Sequence, residues 1–210
     1  MTETEKNKSQ IKADYFDKMA PDWDTIIGND EKRKSIIKNI MSTMGLSSGM
    51  SVLDVGCGTG ILVPLIHERI GDKGSITAID PSPEMIKQAK KNYGDFTNVK
   101  WKIGLIEETK FKKKEFDFVI AFAVFPHIDD KPEALNIIKH CLKKNGKLFI
   151  FHLSDTKSLN DFHSTLDAPV KDDVLPSKNK LIALFKESGF TMINYVDDQN
   201  LNLIEAQLCI

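Results

Sequence analysis

The sequence predicts an α/β fold: a three-layer α/β/α sandwich around one seven-stranded, mostly parallel sheet. Three observations predict it. Short apolar runs alternate with helical patterns along most of the chain, the mark of βαβ units. The runs Ser51–Val55, Ser75–Ile79, Phe116–Ala121 and Lys147–Leu153 are apolar at successive positions, as strands covered on both faces must be. Only the last two strands, Thr191–Val196 and Leu201–Leu208, are joined by a tight turn, Asp197-Asp198-Gln199-Asn200. One antiparallel strand in that C-terminal hairpin therefore closes the sheet.

The elements follow in order. Residues 1–48 read as a tail and cover helices, and residues 49–210 as the main unit of a single domain. The first ten residues are polar and predict a disordered tail. A short amphipathic stretch, Ile11–Trp23, carries Tyr15, Phe16, Met19 and Trp23, and Pro21 breaks any helix there. A helix over Glu31–Met44 places Ile36, Ile37, Ile40, Met41 and Met44 on one stripe, and Gly45 suits its end. After the first strand and a glycine cluster, a helix turns Leu62, Leu65, Ile66 and Ile70 inward and stops at Gly71. The second strand ends in Asp80, and Pro81-Ser82 open a helix with Met85, Ile86 and Ala89 inward. Val99–Ile103 is the third strand. Pro132–Leu142 is a helix closed by Asn145-Gly146, Ser154–Pro176 a long polar segment, and Ser177–Ser188 a helix closed by Gly189.

Composition removes several function classes. The 210 residues hold 29 Lys plus Arg against 30 Asp plus Glu, a net charge of −1. Binding to nucleic acid or to an anionic membrane rewards excess positive charge, so neither is expected. Lys112-Lys113-Lys114 reads as a solvated loop. No run reaches the roughly 18 apolar residues of a membrane span, and the polar start, Met1–Asn7, predicts no signal peptide. Cys57, Cys141 and Cys209 are scattered, with no C-x-x-C pair. That excludes a zinc knuckle and suggests free thiols in a reducing cytoplasm.

The informative segment is Val52-Leu-Asp-Val-Gly-Cys-Gly-Thr-Gly60. A strand meets a helix N-terminus through a loop with little side-chain bulk, where backbone can approach a ligand closely. Asp80, about 20 residues beyond the loop, closes the next strand where an acidic side chain holds ribose hydroxyls. The dinucleotide fingerprint G-x-G-x-x-G is broken by Ile61 at its third glycine position, and no G-x-x-x-x-G-K is present. NAD and ATP are therefore poorer fits.

This combination resembles the class I S-adenosylmethionine-dependent methyltransferases, small-molecule branch, whose fold is Rossmann-like. The motif Asp54-Val-Gly-Cys-Gly-Thr-Gly60 carries the resemblance. Ile79-Asp80-Pro81-Ser82-Pro83-Glu84-Met85, Phe116-Asp117-Phe118-Val119 and Leu142-Lys-Lys-Asn-Gly-Lys-Leu148 extend it. The opening Tyr15-Phe16-Asp17-x-x-Ala20-Pro21-x-Trp23-Asp24 is similar to the branch's N-terminal cover. The resemblance implies S-adenosylmethionine as methyl donor, S-adenosylhomocysteine as product, and roles for particular residues. Asp54 with Gly56, Cys57 and Gly58 would hold the methionine part, and Asp80 the ribose. Pro81 and Met85 would pack near the adenine, and Gly104–Glu108 would form its loop. Leu105 stands where the family often has an acidic residue, so the adenine amino group would turn to backbone near Ile106, to Glu107 or to water. Ala121 and Phe122 would lie beside the methyl donor.

Methyl transfer from a sulfonium needs alignment and exclusion of water, and it needs a base only when the acceptor is protonated. The candidates for such a base are His127 after the fourth strand, then His152 and His163. A metal site built from His152, His163 and Asp172 or Asp173 lacks tight ligand spacing, and no metal is expected. No Asn-Pro-Pro-Tyr-like motif follows the fourth strand, and no Pro-Cys nucleophile is present, which leaves a small molecule as the leading acceptor. Its pocket would be roofed by Tyr15, Phe16 and Trp23 and by the polar segment Ser154–Pro176, which argues against a bulky lipid. A S-adenosylmethionine sensor without catalysis and a macromolecular acceptor remain alternatives. The sequence leaves open the acceptor atom and the oligomeric state, a homodimer included.

Overall fold

The computed structural model describes residues 3–27 and 31–209, with side chains from residue 8 onward. Seven strands form one sheet: β1 (Ser51–Val55), β2 (Ser75–Asp80), β3 (Val99–Ile103), β4 (Phe116–Phe122), β5 (Leu142–His152), β6 (Phe190–Asp198) and β7 (Leu201–Leu208). Their spatial order is β3-β2-β1-β4-β5-β7-β6. β7 runs antiparallel to both of its neighbours, and every other pairing is parallel. The expected sheet, with its single antiparallel strand, is the observed one.

Eight α-helices accompany it among the described residues: α1 (Glu3–Met19), α2 (Trp23–Ile26), α3 (Glu31–Thr43), α4 (Val63–Ile70), α5 (Pro83–Tyr93), α6 (Lys131–Cys141), α7 (Thr156–Ser164) and α8 (Lys178–Glu187). Strand periodicity divides the core into two layers. Leu53, Val55, Val119, Ala121, Leu148 and Ile150 face one side, where Leu135 and Ile138 of α6 and Leu181 and Phe185 of α8 cover them. Val52, Phe118, Ile120, Phe122, Phe149 and Phe151 face the other, under Ile37 and Met41 of α3 and Ile66 and Ile70 of α4. Phe122 and Phe151, partners in the β4–β5 register, stack with ring centroids 4.6 Å apart.

Two expectations are corrected. The tail expected over residues 1–10 is helical from Glu3, although residues 1–2 lie outside the described residues. Ser9 is buried there, and so is Lys12 just beyond it, whose Nζ lies 2.7 Å from Asp129 and 2.6 Å from Asp173. The long polar segment 154–176, for which the sequence indicated no element, contains α7. Asp155 caps that helix by accepting from the Ser158 N–H at 2.9 Å.

The N-terminal cover is fastened to four separate segments. Asp17 of α1 accepts from the Ser82 hydroxyl and from the Glu84 N–H (3.0 Å), and so joins Ser82 in capping α5. Asp24 of α2 accepts from the Thr59 hydroxyl at 2.5 Å. Lys12 reaches Asp129, after β4, and Asp173, before α8. No described helix is long and apolar enough to cross a membrane.

Phe151 is fully buried at the centre of one layer. Phe151→Ala should cost about 3–5 kcal/mol in a urea unfolding experiment, from lost transfer energy plus a cavity. A cost below about 1 kcal/mol would show that this layer is not a packed core.

Candidate active site

Strand order reverses between β1 and β4, since the chain builds outward to β3 on one side and to β6 on the other. In open α/β sheets such a switch point opens a crevice at the carboxyl ends of the strands. Here it holds a cleft bounded by the β1–α4 glycine loop, the β2–α5 turn, the turn after β3, the turn after β4 and the cover.

The glycine loop is shaped by close approach. Gly56 has φ +64°, and a Cβ there would stand 2.2 Å from Cγ2 of Val124, so the loop abuts the turn after β4. A Cβ on Gly58 (φ +53°) would lie 3.3 Å from the indole nitrogen of Trp23, so the cover sits on the loop. Cys57 donates its N–H to the Ile79 carbonyl at 3.0 Å. Its buried thiol is pushed well above the ordinary range by burial and by the nearby Asp80 and Asp54 carboxyls, which leaves it inert.

Two carboxyl groups lie under this loop. Asp80 accepts from the Gly58 N–H through Oδ2 and from the Ser82 N–H through Oδ1, both at 2.9 Å. Burial raises it to about 6 despite those two bonds. Asp54, 1% exposed, has no hydrogen-bond partner on Oδ2. Burial and the neighbouring Asp80 charge raise it to about 7. The two side chains form an acidic floor that is only partly satisfied.

The remaining walls are mainly apolar. Pro81 and Met85 line the side beside β2, and Leu105, Ile106 and Glu107 the side beyond β3. Glu107 is 9% exposed, and burial raises its carboxyl above the ordinary range. Phe122, Val124 and Ile128 line the side after β4. Phe16, Trp23 and Ile27 roof the cleft, and Arg33 reaches it from α3.

Most of the residues singled out from the sequence meet in this cleft: those of the glycine loop, Asp54, Asp80, Pro81, Met85, Ile106, Glu107, Phe122, Trp23 and His127. Four do not. Ala121 points into the α6–α8 layer, because side chains alternate along β4 and its neighbour Phe122 takes the opposite, cleft-lining side. Helical spacing turns Ser9, Lys12 and Phe16 to the cleft, which leaves Tyr15 on an adjacent face against Phe16. His152 and His163 are buried outside the lining. His152 sits opposite Asn202 in the β5–β7 register with both ring nitrogens unpartnered, and burial lowers it to about 3. His163 of α7 places Nδ1 2.5 Å from the Asp173 carbonyl oxygen. Asp172 is exposed, and the described residues hold no group of three or more His, Cys, Asp or Glu arranged for a metal.

His127 ends a short 3-10 turn after β4, with Nδ1 2.8 Å from Asp173 Oδ2. Its ring packs edge-on against Phe16 at 5.2 Å and lies 5.0 Å from the ring of His163. Burial lowers its pKa more than Asp173 raises it. Sequence reasoning missed Arg33 and Val124, and it weighed Asp173 only as a metal ligand, not as a partner of His127. The φ of +54° at Ala123, which aims Val124 at Gly56, has no signature in the sequence.

Comparison with known proteins follows the same lines. A family model described as a methyltransferase domain matches residues 46–207. A demethylmenaquinone methyltransferase of Staphylococcus aureus strain MRSA252 is 30% identical over 156 residues, 73% of this chain and 64% of the relative. Its counterpart in strain JH9 is 26% identical over 214 residues, 90% of this chain and 88% of the relative. Among solved structures, a SAM-dependent methyltransferase from Aquifex aeolicus superposes with a TM-score of 0.67 at 21% identity, covering 87% of this chain and 96% of that one. From the extent of the family match, the chain belongs to the methyltransferase-domain family.

Proposed function

We propose that this enzyme methylates a small, largely apolar acceptor enclosed between the N-terminal cover and the turn after β4. The observation that carries the reading is the acidic floor, where the unpartnered Asp54 carboxyl and the Asp80 carboxyl lie under a loop without side-chain bulk. A buried carboxyl without a partner is costly, and a cationic ligand relieves the cost. S-adenosylmethionine, when bound, supplies a methyl group already activated on a positively charged sulfur.

The chain's own residues divide the binding task. Asp54 suits the donor's ammonium group, and Arg33 its carboxylate. Asp80 keeps a lone pair on each oxygen beyond the bonds from Gly58 and Ser82, enough to accept from two ribose hydroxyls. Pro81, Met85 and Ile106 offer apolar contact to the adenine. Buried Glu107 supplies the acidic group that Leu105 does not. Trp23 and Phe16 exclude water from above.

The acceptor side is apolar, with Phe16, Phe122, Val124 and Ile128 around His127. None of residues 154–176 lines the cleft, so the polarity of that segment places no limit on a lipid-like acceptor. The S. aureus relatives, named for demethylmenaquinone, are consistent with an apolar acceptor. Incubation with S-adenosylmethionine and a panel of small quinols, phenols, thiols and amines, read by mass spectrometry, should give acceptor-dependent S-adenosylhomocysteine. Tight donor binding with no acceptor-dependent product from the whole panel would favour a donor-binding protein without catalysis.

Two substitutions test the floor. Asp80→Ala should weaken S-adenosylmethionine binding by about 1–3 kcal/mol in calorimetry; unchanged affinity in a folded variant would remove Asp80 from the site. Asp54 is held at about 7, above its value in an unfolded chain, so the ligand-free native state keeps a proton that the unfolded chain has released. Ligand-free stability should therefore fall as pH rises from about 4 through 7, with the penalty complete above that range. Asp54→Asn should flatten this dependence, raise the ligand-free melting temperature at pH 8 and weaken donor binding about tenfold or more. A variant no more stable at pH 8, with full affinity, would contradict the assignment.

A further inference from the structure

We propose that Asp173 is a positioning residue that makes His127 the proton acceptor of this cleft, and that Lys12 of the cover helix completes the arrangement. The inference deepens the methyltransferase reading above and rests on it.

The geometry starts with the 2.8 Å contact between His127 Nδ1 and Asp173 Oδ2. A carboxylate only accepts, so the ring hydrogen is on Nδ1 and the lone pair is on Nε2. The ring lines the cleft, and Nε2 is its remaining nitrogen. The other oxygen of Asp173 meets Lys12 Nζ at 2.6 Å, and both side chains are 6% exposed. Burial works against ionisation of Asp173, but the bonds from His127 and Lys12 outweigh it and hold the carboxyl below the ordinary range.

Lys12 decides what the pair does. A lone carboxylate beside an imidazole draws a proton onto the ring and fills the very lone pair a base needs. Here the ammonium of Lys12 already balances the charge of Asp173. Lys12 also lies 3.3 Å from the His127 carbonyl oxygen and is shared with Asp129, which Lys8 pairs as well. The other titratable neighbours do not compete. His163 has its Nδ1 on the Asp173 carbonyl, and His152 is buried off the cleft. His127 is thus kept neutral, oriented and basic at neutral pH.

Such a base serves an acceptor that carries an O–H or S–H. The proton passes to the Nε2 lone pair, and the electron pair of that bond stays on the acceptor atom. That atom bonds to the methyl carbon, and the pair of the breaking carbon–sulfur bond stays on the donor's sulfur. The imidazolium formed keeps its Nδ1–H bond to Asp173. Because Lys12 and Phe16 both come from α1, the base is complete only beneath a docked cover.

The test is the protonation state of His127 in the full chain labelled with 15N-histidine, from long-range proton–nitrogen spectra with S-adenosylhomocysteine present. A neutral His127 ring with its hydrogen on Nδ1 at pH 7 is expected; an imidazolium, or a hydrogen on Nε2, overturns the proposal. Asp173→Ala should return the ring to the Nε2–H form that a free histidine favours, and an unchanged tautomer in the folded variant would also overturn it. Lys12→Met provides a second route should Asp173→Ala fail to fold: the His127 titration midpoint should rise by about one pH unit or more, and an unmoved midpoint removes Lys12. Calorimetry with S-adenosylhomocysteine on the same samples separates the two readings. Absence of binding to the wild-type chain strikes the donor reading, while the ring spectra decide the proposal about Asp173.

Discussion

The burial of two carboxyl groups, Asp54 and Asp80, beneath a loop of glycines is the constraint on which the rest of this structure depends. β1 carries Asp54 into a strand flanked by β2 and β4, and β2 ends with Asp80 pinned by two backbone N–H groups. A carboxyl with an orphaned oxygen in that position opposes folding, because its ionised form is poorly solvated there. Local conflicts of this kind are expected where a ligand arrives, and they are offset elsewhere. The offset here is the continuous apolar packing on both faces of the sheet.

The N-terminal cover supplies the other half of the site, and its fastening is polar. Asp17 and Asp24 each cross to one loop, and Lys12 crosses to two, after β4 and before α8. On the proposed reading, such a cover would exclude water once donor and acceptor are bound. The same latches reach the glycine loop through Thr59 and the cap of α5 through Ser82, so on the proposed reading donor binding and docking of the cover would act on neighbouring residues.

Much of the fold was legible because its signals are local. The apolar runs at 51–55, 75–79 and 116–121, the Ser82 helix start and the Asp54–Gly60 loop report structure through neighbouring residues alone. What was not legible depends on partners far along the chain. The first turns of α1 look like a tail until Lys12 finds Asp129 and Asp173, more than a hundred residues away. α7 is polar on the side that hides its buried His163, and its only local signal is the Asp155 cap. Ala121 and Phe122 differ by one residue, and the two-residue period of a strand sends them to opposite layers. The histidines were identifiable as a group near one rim, but which of them faces the cleft is set by turn geometry that residue types do not encode.

Calorimetric titration with S-adenosylmethionine, S-adenosylhomocysteine and NAD, repeated in buffers of different ionisation enthalpy near pH 6.5, tests the central claim most directly. A group held at about 7 is largely protonated there, and a cation seated on Asp54 must displace that proton. The account predicts micromolar binding of the first two ligands with release of a proton, and no binding of NAD. Binding without proton exchange, preference for NAD, or no binding of either sulfur ligand would contradict the assignment of the buried carboxyl pair to the methyl donor.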